Sequence, residues 1–537
     1  MRGVESRNTL QERSGSITTA NFVKIISDLG LLVVSAFLFS FSFPSGLSEW
    51  GLFPLAFFAQ APLFYVLRRC GWRSVFPYGF FYGFLSYFIF NFWLIKFHPL
   101  AIFIVPVIYA FYFLILFPIL KFAGSVSHNY GYIIQAIVWI CYEFVKTTGF
   151  LGYPYGILGY SQYLFSPLAR IAAVAGVWGV SLIVIFPSSL LGNAFASSKG
   201  DIRAFFIRNR RAIGIYFIIF LFAISYGIAA KKDLSGSPTA RVGLVQHNVD
   251  PWKHDYKRSL DILLDLSRKA LAYDPDIVVW SETAFVPAID YHTKYRKNRD
   301  AYELVKRLKD FLTEQKTPFV LGNDDGQLKS IGGDERIDYN AALLFDDGDF
   351  KQIYRKIKLV PFTEHFPFEK QLPGIYKMLK DADTHFWEKG NEYSVFEAAG
   401  IKFSTPICFE DTFGNISREF IRNGAEIIIN ITNDSWSNSI PSEMQHMGMA
   451  LFRAIENRRT IIRATNGGIT CAIDPNGRIT AMLQPFTQDI LVTDIPIYTN
   501  SKTLYTIWGD WFPKIGFLVA AVWIIFCLAL KSRKNGK

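Results

Sequence analysis

The sequence contains little cysteine and histidine, and it lacks the short motifs that bind metal ions or nucleotides. Five cysteines and eight histidines are spread over 537 residues, with no CxxC, no HExxH and no glycine-rich phosphate loop. The cysteines are Cys70, Cys141, Cys408, Cys471 and Cys527. Their spacing is not typical of a metal site or of a disulfide framework. The sequence therefore indicates no metal and no nucleotide cofactor.

Acidic residues are fewer than basic ones, but this imbalance is confined to the two ends of the chain. The net charge is +11. Residues 1–230 carry +10 and residues 511–537 carry +5, whereas residues 231–510 carry −4. Because the polar middle is slightly acidic, the basic composition does not indicate nucleic-acid binding. It is instead a signal of membrane topology.

Hydrophobic residues are abundant, at 51% of the chain, and they are concentrated in long runs. A helix needs roughly 20 apolar residues to cross a bilayer, and about eight stretches approach that length. They lie at 22–44, 51–67, 74–95, 99–120, 131–148, 168–193, 212–230 and 513–530. The first is too long for a signal peptide and is followed by no small-residue cleavage site. One such stretch alone would fit a buried core helix, but eight together predict a polytopic helical membrane domain.

The positions of lysine and arginine predict how these stretches are oriented. Basic residues cluster before the first stretch, after the second, after the sixth and at the C-terminus, which all fall on one side. The positive-inside rule makes this side cytoplasmic. We therefore expect a cytoplasmic segment at 1–21, a membrane domain with about seven helices at 22–230, and an outward-facing domain at 231–510. A C-terminal transmembrane helix with a basic cytoplasmic tail is expected at 511–537.

The polar middle of the chain has the pattern of an α/β domain. Short β-branched runs alternate there with helical patterns. The predicted strands are Arg241–His247, Asp276–Trp280, Pro318–Gly322, Ala341–Phe345, Phe350–Lys356, Phe403–Cys408, Ala425–Ile431, Thr460–Thr465 and Ile469–Ile473. Glu282 lies two residues after the second of these strands, and Cys408 ends the sixth. Strand ends are where open α/β sheets place reactive groups.

Cys408 is the residue best suited to covalent catalysis. A thiol nucleophile needs a base to take its proton and a positive group to stabilise the oxyanion. No histidine has a papain-like context, so Glu282 is the leading candidate for the base, and Lys356 can supply the positive charge. Taken singly, the three residues fit a structural cysteine, a solvated glutamate and a surface lysine equally well. A disulfide between Cys408 and Cys471 is the competing use of this thiol.

Three motifs taken together resemble a known superfamily. They are Val279-Trp280-Ser281-Glu282-Thr283-Ala284, Tyr354-x-Lys356 and Ile407-Cys408-Phe409-Glu410. This order of Glu, Lys and Cys resembles the nitrilase, or carbon-nitrogen hydrolase, superfamily. The resemblance implies an αββα sandwich in which Glu282 is the general base, Lys356 stabilises the oxyanion and Cys408 forms a thioester.

A nitrilase-like domain between membrane spans is similar to the apolipoprotein N-acyltransferase family. The further matching motifs are Leu359-Val360-Pro361-Phe362-x-Glu364, Asn433-Asp434-x-Trp436, Gln445-His446, Arg453-Ala454-x-Glu456 and Arg463-Ala464-Thr465-Asn466-Gly467. The resemblance implies that Cys408 takes an acyl chain from a phospholipid. The α-amino group of an apolipoprotein's diacylglyceryl-cysteine then accepts it. It also implies supporting roles for Glu364 and Glu410. Phe409 departs from the family, which usually has Tyr there.

The same resemblance implies a location in the bacterial cytoplasmic (inner) membrane, with the catalytic domain facing the periplasm. One complete triad per chain makes a monomer the expected working form. Glu143 is an ionisable residue in a predicted span, and we favour a structural or lipid-positioning role for it over a catalytic one. The alternative function is a membrane-bound nitrilase-type amidase, which would need only one anchoring span. A transporter or a lipid-binding receptor is disfavoured because the spans show no paired, broken helices in repeated halves.

Overall fold

The computed structural model describes residues 2–97, 101–127, 130–197, 201–250, 253, 255–329, 336–381 and 385–535. The chain divides into two compact units. The first comprises Met1–Tyr142, Ser181–Phe220 and Pro513–Lys537, and the second comprises Glu143–Val180 and Leu221–Phe512. The segment 143–180 thus belongs to the same unit as the predicted α/β domain.

Apolar helices make up most of the chain before residue 230. They are α1 (Arg2–Phe41), α2 (Ala61–Arg69), α3 (Trp72–Phe90), α4 (Leu94–Phe97), α5 (Ala101–Val126), α6 (Gly131–Val145), α7 (Ser166–Ala169), α8 (Ala172–Ser197) and α9 (Ile202–Ala229). Within the described ranges, five helical segments are long and apolar enough to cross a membrane. They are Asn21–Phe41, Ala101–Val126, Ala172–Ala196, Arg203–Ala229 and Trp511–Leu530.

The remaining three predicted stretches correspond to shorter or less apolar helices. The stretch 51–67 is divided between a one-turn 3-10 helix, Phe53–Phe57, and α2. Each of these two helices has a proline in its first positions, where proline starts a helix but cannot continue a preceding one. The stretch 74–95 falls mainly on α3, and 131–148 falls on α6, which has only 15 residues.

Glycines allow α3 and α5 to pack closely in the first unit. A Cβ atom at Gly79 would overlap the carbonyl oxygen of Phe113, and one at Gly83 would overlap that of Tyr109. Helices in membranes use such small residues to bring their backbones together. The rings of Tyr87 and Tyr109 stack beside this contact, with centroids 3.4 Å apart.

The second unit contains two sheets with six strands each among the described residues. The strands are β1 (Thr239–Gln246), β2 (Ile277–Trp280), β3 (Phe319–Leu328), β4 (Arg336–Asp346), β5 (Asp349–Arg355), β6 (Val395–Ala398), β7 (Ile401–Ser404), β8 (Ile427–Thr432), β9 (Ile461–Thr465), β10 (Cys471–Ile473), β11 (Ile479–Met482) and β12 (Asp489–Pro496). The sheet orders are β12-β1-β2-β3-β4-β5 and β11-β10-β9-β8-β7-β6. In each sheet three central strands run parallel: β1, β2 and β3 in one, and β7, β8 and β9 in the other.

Helices cover the outer faces of the two sheets. The later helices are α10 (Tyr256–Leu271), α11 (Ile289–Tyr295), α12 (Arg299–Thr313), α13 (Pro373–Asp381), α14 (Gly414–Arg422), α15 (Ile440–Asn457), α16 (Leu504–Trp508) and α17 (Trp511–Asn535). Leu263 of α10 and Leu308 of α12 share a buried core with Val278 and Phe319 of the first sheet. The sheets face each other through β1, β2 and β9, and α15 packs on β9. This arrangement confirms the predicted fold class, an αββα sandwich joined to a helical membrane domain.

Candidate active site

Cys408 begins a short 3-10 helix and does not end a strand, so the prediction of a strand through Cys408 was wrong in that detail. Strand β7 ends at Ser404, and the 3-10 helix runs from Cys408 to Thr412. Pro406 lies between them and has no N–H to donate to a strand ladder. The φ angle of Cys408 is 51°, in the left-handed region. A non-glycine residue keeps such a conformation only where its surroundings hold it.

Asn430 supports the backbone on both sides of this turn. Its Nδ2 atom donates to the carbonyl oxygens of Pro406 and Cys408, at 3.1 and 3.2 Å. The residue after the cysteine, Phe409, packs its ring edge-on against Phe413, with centroids 4.9 Å apart. The position that usually holds a tyrosine in the resembled family is therefore used here for an apolar contact.

Glu410 joins two backbone segments of the site. Its Oε2 atom accepts a hydrogen bond from the backbone N–H of Ile407 at 2.8 Å, and its Oε1 atom accepts from those of Ile357 and Lys358 at 2.7 and 2.9 Å. The Tyr354 hydroxyl lies 2.8 Å from Oε2. Burial raises the pKa of Glu410 to about 7. The N–H groups can only donate, so they oppose that shift and favour the ionised carboxylate.

Lys356 is fully buried and pairs with two carboxylates. Its Nζ atom lies 3.0 Å from Oε1 of Glu282 and 2.7 Å from Oε1 of Glu364. Burial opposes the ammonium charge, but the two carboxylates outweigh it and raise the pKa of Lys356 well above its usual range. Burial also raises the pKa of Glu364, although Lys356 and the backbone N–H of Val360 work against that rise. Lys356 is therefore held as a cation.

Glu282 lies two residues beyond the end of β2 and is fixed at both oxygens. Its Oε1 atom accepts from Nδ2 of Asn340 at 2.7 Å, and its Oε2 atom accepts from the backbone N–H of Asn433 at 2.9 Å. The next residue, Thr283, has a φ angle of 45°. The turn after β2 thus directs this carboxylate toward Lys356.

The thiol of Cys408 is half-buried and lies within the electrostatic reach of these groups. Burial and the Glu282 carboxylate raise the pKa of Cys408 well above its usual range, while Lys356 acts in the opposite sense. The thiol is therefore protonated near neutral pH. A nucleophilic attack by this sulfur needs a base that removes its proton during the step. The structure thus brings Cys408, Glu282, Lys356 and Glu364 together.

Two residues that no motif singled out contribute to the site. Asn340 binds Glu282 through its side chain, and its carbonyl oxygen accepts from the backbone N–H of Lys356 at 2.8 Å. Asp411, three residues after Cys408, is fully buried against His446. Its position directly after the Ile407-Cys408-Phe409-Glu410 motif was the available sequence signal. Asn340 gave none, because its role depends on a contact between distant strands.

The segment 143–180 packs against the sandwich within the second unit. Glu143 is 1% exposed and its Oε1 atom accepts from the backbone N–H of Leu158 at 2.8 Å. Lys146 donates to the carbonyl oxygen of Tyr155 at 2.7 Å, and the Tyr155 ring lies 6.4 Å from that of His446. These contacts fix the loop that carries Tyr155, and the structural or lipid-positioning role of Glu143 stays a prediction.

Two family models match the chain. The model described as Carbon-nitrogen hydrolase matches residues 241–502. The model described as Apolipoprotein N-acyltransferase N-terminal domain matches residues 35–190. One solved structure that resembles this chain is an amidase from Nesterenkonia sp., with a TM-score of 0.35 and 19% identity over 50% of this chain and 94% of that one.

Named relatives match nearly the whole length. Apolipoprotein N-acyltransferase 1 of Treponema denticola is 44% identical over 539 residues, which cover 96% of this chain and 99% of the relative. Apolipoprotein N-acyltransferase 1 of Treponema pallidum is 42% identical over 520 residues, which cover 93% of each chain. The buried Glu, Lys and Cys cluster described above lies inside the matched regions. The chain belongs to the apolipoprotein N-acyltransferase family.

Proposed function

We propose that this chain transfers a fatty acyl chain from a membrane phospholipid to the α-amino group of the N-terminal diacylglyceryl-cysteine of apolipoproteins. The observation that carries this proposal is the buried pair of Glu282 and Lys356 beside the half-buried thiol of Cys408. It occurs in a chain whose two halves match the two family models. The relatives' names agree with this activity.

In the first half-reaction, Cys408 is the nucleophile and Glu282 the general base. Glu282 takes the thiol proton as the sulfur attacks the ester carbonyl carbon of the phospholipid. The Lys356 ammonium stabilises the oxyanion that forms on the carbonyl oxygen. Collapse of the tetrahedral intermediate breaks the ester C–O bond, and the leaving oxygen takes the proton back from Glu282. The products are a lysophospholipid and an acyl thioester on Cys408.

In the second half-reaction, the free amine of the apolipoprotein attacks the thioester carbonyl. Glu282 accepts the proton that the nitrogen loses, and Lys356 again faces the oxyanion. The C–S bond breaks, an amide forms, and the returning proton regenerates the thiol of Cys408. Water must be excluded during this step, because hydrolysis would destroy the thioester.

Glu364 and Glu410 act through their neighbours in this proposal. Glu364 lies 2.7 Å from the Lys356 Nζ and holds the ammonium group in place. Glu410 connects the N–H group of Ile407, just before Cys408, with the backbone that follows Lys356. Both are therefore positioning residues.

The proposed topology places the catalytic domain, 231–510, on the periplasmic side of the bacterial inner membrane. The segment 1–21 and the basic tail of 511–537 are cytoplasmic, and 22–230 is the membrane domain. One feature of the structure supports this assignment. The connection between the fifth and sixth predicted spans, 131–148 and 168–193, falls on the outward side in this topology, and it belongs to the same compact unit as the catalytic domain. We further propose that a monomer is active, since one chain carries a complete triad.

An acceptor competition separates the transferase from the alternative, a nitrilase-type amidase. Purified protein is given a phospholipid with an isotope-labelled acyl chain, together with a diacylglyceryl lipopeptide that has a free α-amino group. We expect the label in an amide on the lipopeptide, and no transfer by Cys408→Ala. Label released only as free fatty acid, even with the lipopeptide present, would favour the amidase and contradict the proposal.

A further inference from the structure

Four charged side chains form a buried network that includes the Cys408 turn. His446, on α15, lies between Asp411 and Asp434. Its Nε2 atom is 2.8 Å from Oδ1 of Asp411, and its Nδ1 atom is 3.1 Å from Oδ2 of Asp434. Arg463, on β9, pairs with the other oxygen of Asp411 and lies 3.4 Å from Oδ2 of Asp434. All four side chains are at most 5% exposed.

This geometry fixes the protonation of His446. A carboxylate oxygen only accepts hydrogen bonds, so a ring with both nitrogens against carboxylates donates from both and carries a positive charge. Burial opposes that charge, but Asp434 and Asp411 outweigh burial and Arg463 and raise the pKa of His446 to about 9. Burial would raise the pKa of Asp434, yet His446 and Arg463 lower it to about 2. His446 is therefore held as a cation in this network.

Three further groups, Glu443, Tyr155 and Cys471, face the network without adding a charge, and burial raises the pKa of the Cys471 thiol to about 12. Glu443 lies on the same helix as His446 and accepts a hydrogen bond from the Ser437 hydroxyl. Burial and the charge of Asp434 raise the pKa of Glu443 well above its usual range, so it is neutral. The Tyr155 ring lies 6.4 Å from that of His446. Burial raises the pKa of Tyr155 as well, so this phenol is neutral too.

The network holds a turn that needs support. Cys408 has a φ angle of 51°. The residues Glu410, Asp411 and Thr412 that follow it each have different binding partners. Glu410 binds backbone N–H groups, and the carbonyl oxygen of Thr412 accepts from Nη1 of Arg453 at 2.9 Å. Asp411 lies between Glu410 and Thr412 in the chain. Among the described residues, the charged side chains that bind Asp411 are those of His446 and Arg463.

We propose that His446 is a positioning residue for the acyl-transfer reaction. By bridging Asp411 and Asp434, it fixes the Cys408 turn in the conformation that presents the thiol to Glu282. The inference rests on the proposed role of Cys408 as the nucleophile. His446 acts through Asp411, and a small displacement of the turn is enough to slow the chemical step.

The test measures the burst of Cys408 acylation by labelled phospholipid, with full-length protein in detergent and no acceptor. In His446→Gln we expect the burst rate constant to fall on the order of tenfold or more. The burst amplitude and the KM for phospholipid stay near their wild-type values. A role limited to folding would instead lower the amplitude and leave the rate constant unchanged. The control variant is Met447→Leu. Met447 is a fully buried neighbour of His446 on the same helix, and we expect this variant to keep the wild-type burst rate constant and amplitude.

A second variant tests whether the bridge acts as one unit. Asp411→Asn keeps the side-chain volume and removes the charge that His446 binds, so we expect a similar fall in the burst rate constant. The double variant loses little more than Asp411→Asn alone, because that variant already removes the ion pair with His446. Losses that multiply in the double variant, or an unchanged rate constant in His446→Gln, overturn the proposal. Where His446→Gln is not recovered folded, an unchanged rate constant in Asp411→Asn overturns it.

The same measurement separates failure of this inference from failure of the proposed function. A wild-type protein without a burst contradicts the nucleophilic role of Cys408, and with it the inference. A normal wild-type burst with an equally fast burst in His446→Gln contradicts the inference alone.

Discussion

The Nζ atom of Lys356 lies 3.0 Å from Oε1 of Glu282, and both side chains are buried beside the thiol of Cys408. Asn340 and the backbone of Asn433 hold the same carboxylate from two further directions. The carboxylate thus helps to keep the lysine charged, because it raises the pKa of Lys356. A substitution at either position should therefore lower the rate of the chemical step more than it lowers the affinity for the substrate.

Substitution of Lys356 tests the oxyanion role. In Lys356→Ala we expect acylation of the thiol itself to slow on the order of 10²- to 10³-fold, because the oxyanion first forms in that step. The measurement is single-turnover formation of the thioester. Lys351→Ala is the matched control, since that lysine is exposed and lies on the preceding strand, β5. A thioester burst in Lys356→Ala that is as fast as in the wild type would refute this role.

Substitution of Glu410 tests the connection between the two backbone segments. Glu410→Gln places an amide NH₂ among backbone N–H donors, which leaves at least one buried donor unpaired at a cost of about 1–3 kcal/mol. We expect a lower unfolding temperature and a lower kcat, with KM for phospholipid little changed. Tyr354→Phe removes one hydroxyl donor and should have a smaller effect. Equal effects of the two variants would contradict the role of the backbone N–H groups.

The charge of His446 predicts how stability depends on pH. Its pKa is raised from 6.5 to about 9 in the folded protein. The resulting stabilisation is complete below pH 6.5 and is lost as the pH rises through about 9. Between these values we expect the unfolding temperature of the wild type to fall more than that of His446→Gln. Parallel curves for the two proteins would show that His446 is not charged when buried.

The close approach of α3 and α5 predicts that the membrane domain does not tolerate a larger side chain at Gly79. Gly79→Ala adds a methyl group that overlaps a carbonyl oxygen of α5, so we expect a loss of about 1–3 kcal/mol of stability. Thermal unfolding in detergent measures it. Gly30→Ala is the control, because among the described residues no atom beyond the adjoining backbone of the same helix lies within 4 Å of a Cβ atom at Gly30. A larger loss at Gly30 than at Gly79 would contradict this packing.

The proposed topology predicts which side of the membrane exposes the catalytic domain. A protease site inserted between Arg296 and Asn298, ahead of α12, should be cut in spheroplasts and protected in inside-out vesicles. A site added to the C-terminal tail should show the opposite result and serves as the control. Cleavage near residue 297 only in inside-out vesicles would reverse the topology.

The positions of the candidate site residues follow from the sequence, because those residues come at the ends of short, strongly patterned strands. Strands β1, β2, β5, β8 and β9 lie close to their predicted positions, so the turns after β2 and β5 carry Glu282 and Lys356 as expected. The cysteine turn differs, because Pro406 ends the strand ladder before Cys408. The predicted span 51–67 differs for a similar reason, since prolines restart the helix.

The parts that the sequence does not predict depend on contacts between distant residues. Strands β6, β11 and β12 have weak local patterns, and β12 is fixed by antiparallel pairing with β1, about 250 residues earlier in the chain. The hydrogen bond between Asn340 and Glu282 likewise joins the middle of β4 to the turn after β2. His446 lies in a recognisable motif, but its partners Asp411 and Asp434 become evident only once α15, β8 and the Cys408 turn pack together.

Direct detection of the acyl group on the protein tests the central claim most directly. Wild-type protein is incubated with phospholipid but without an acceptor, and its peptides are then analysed by mass spectrometry. We expect a hydroxylamine-sensitive acyl group on the peptide that contains Cys408, and its disappearance when a diacylglyceryl lipopeptide is added. An acyl group on another residue, or lipopeptide acylation by Cys408→Ala, would contradict the mechanism.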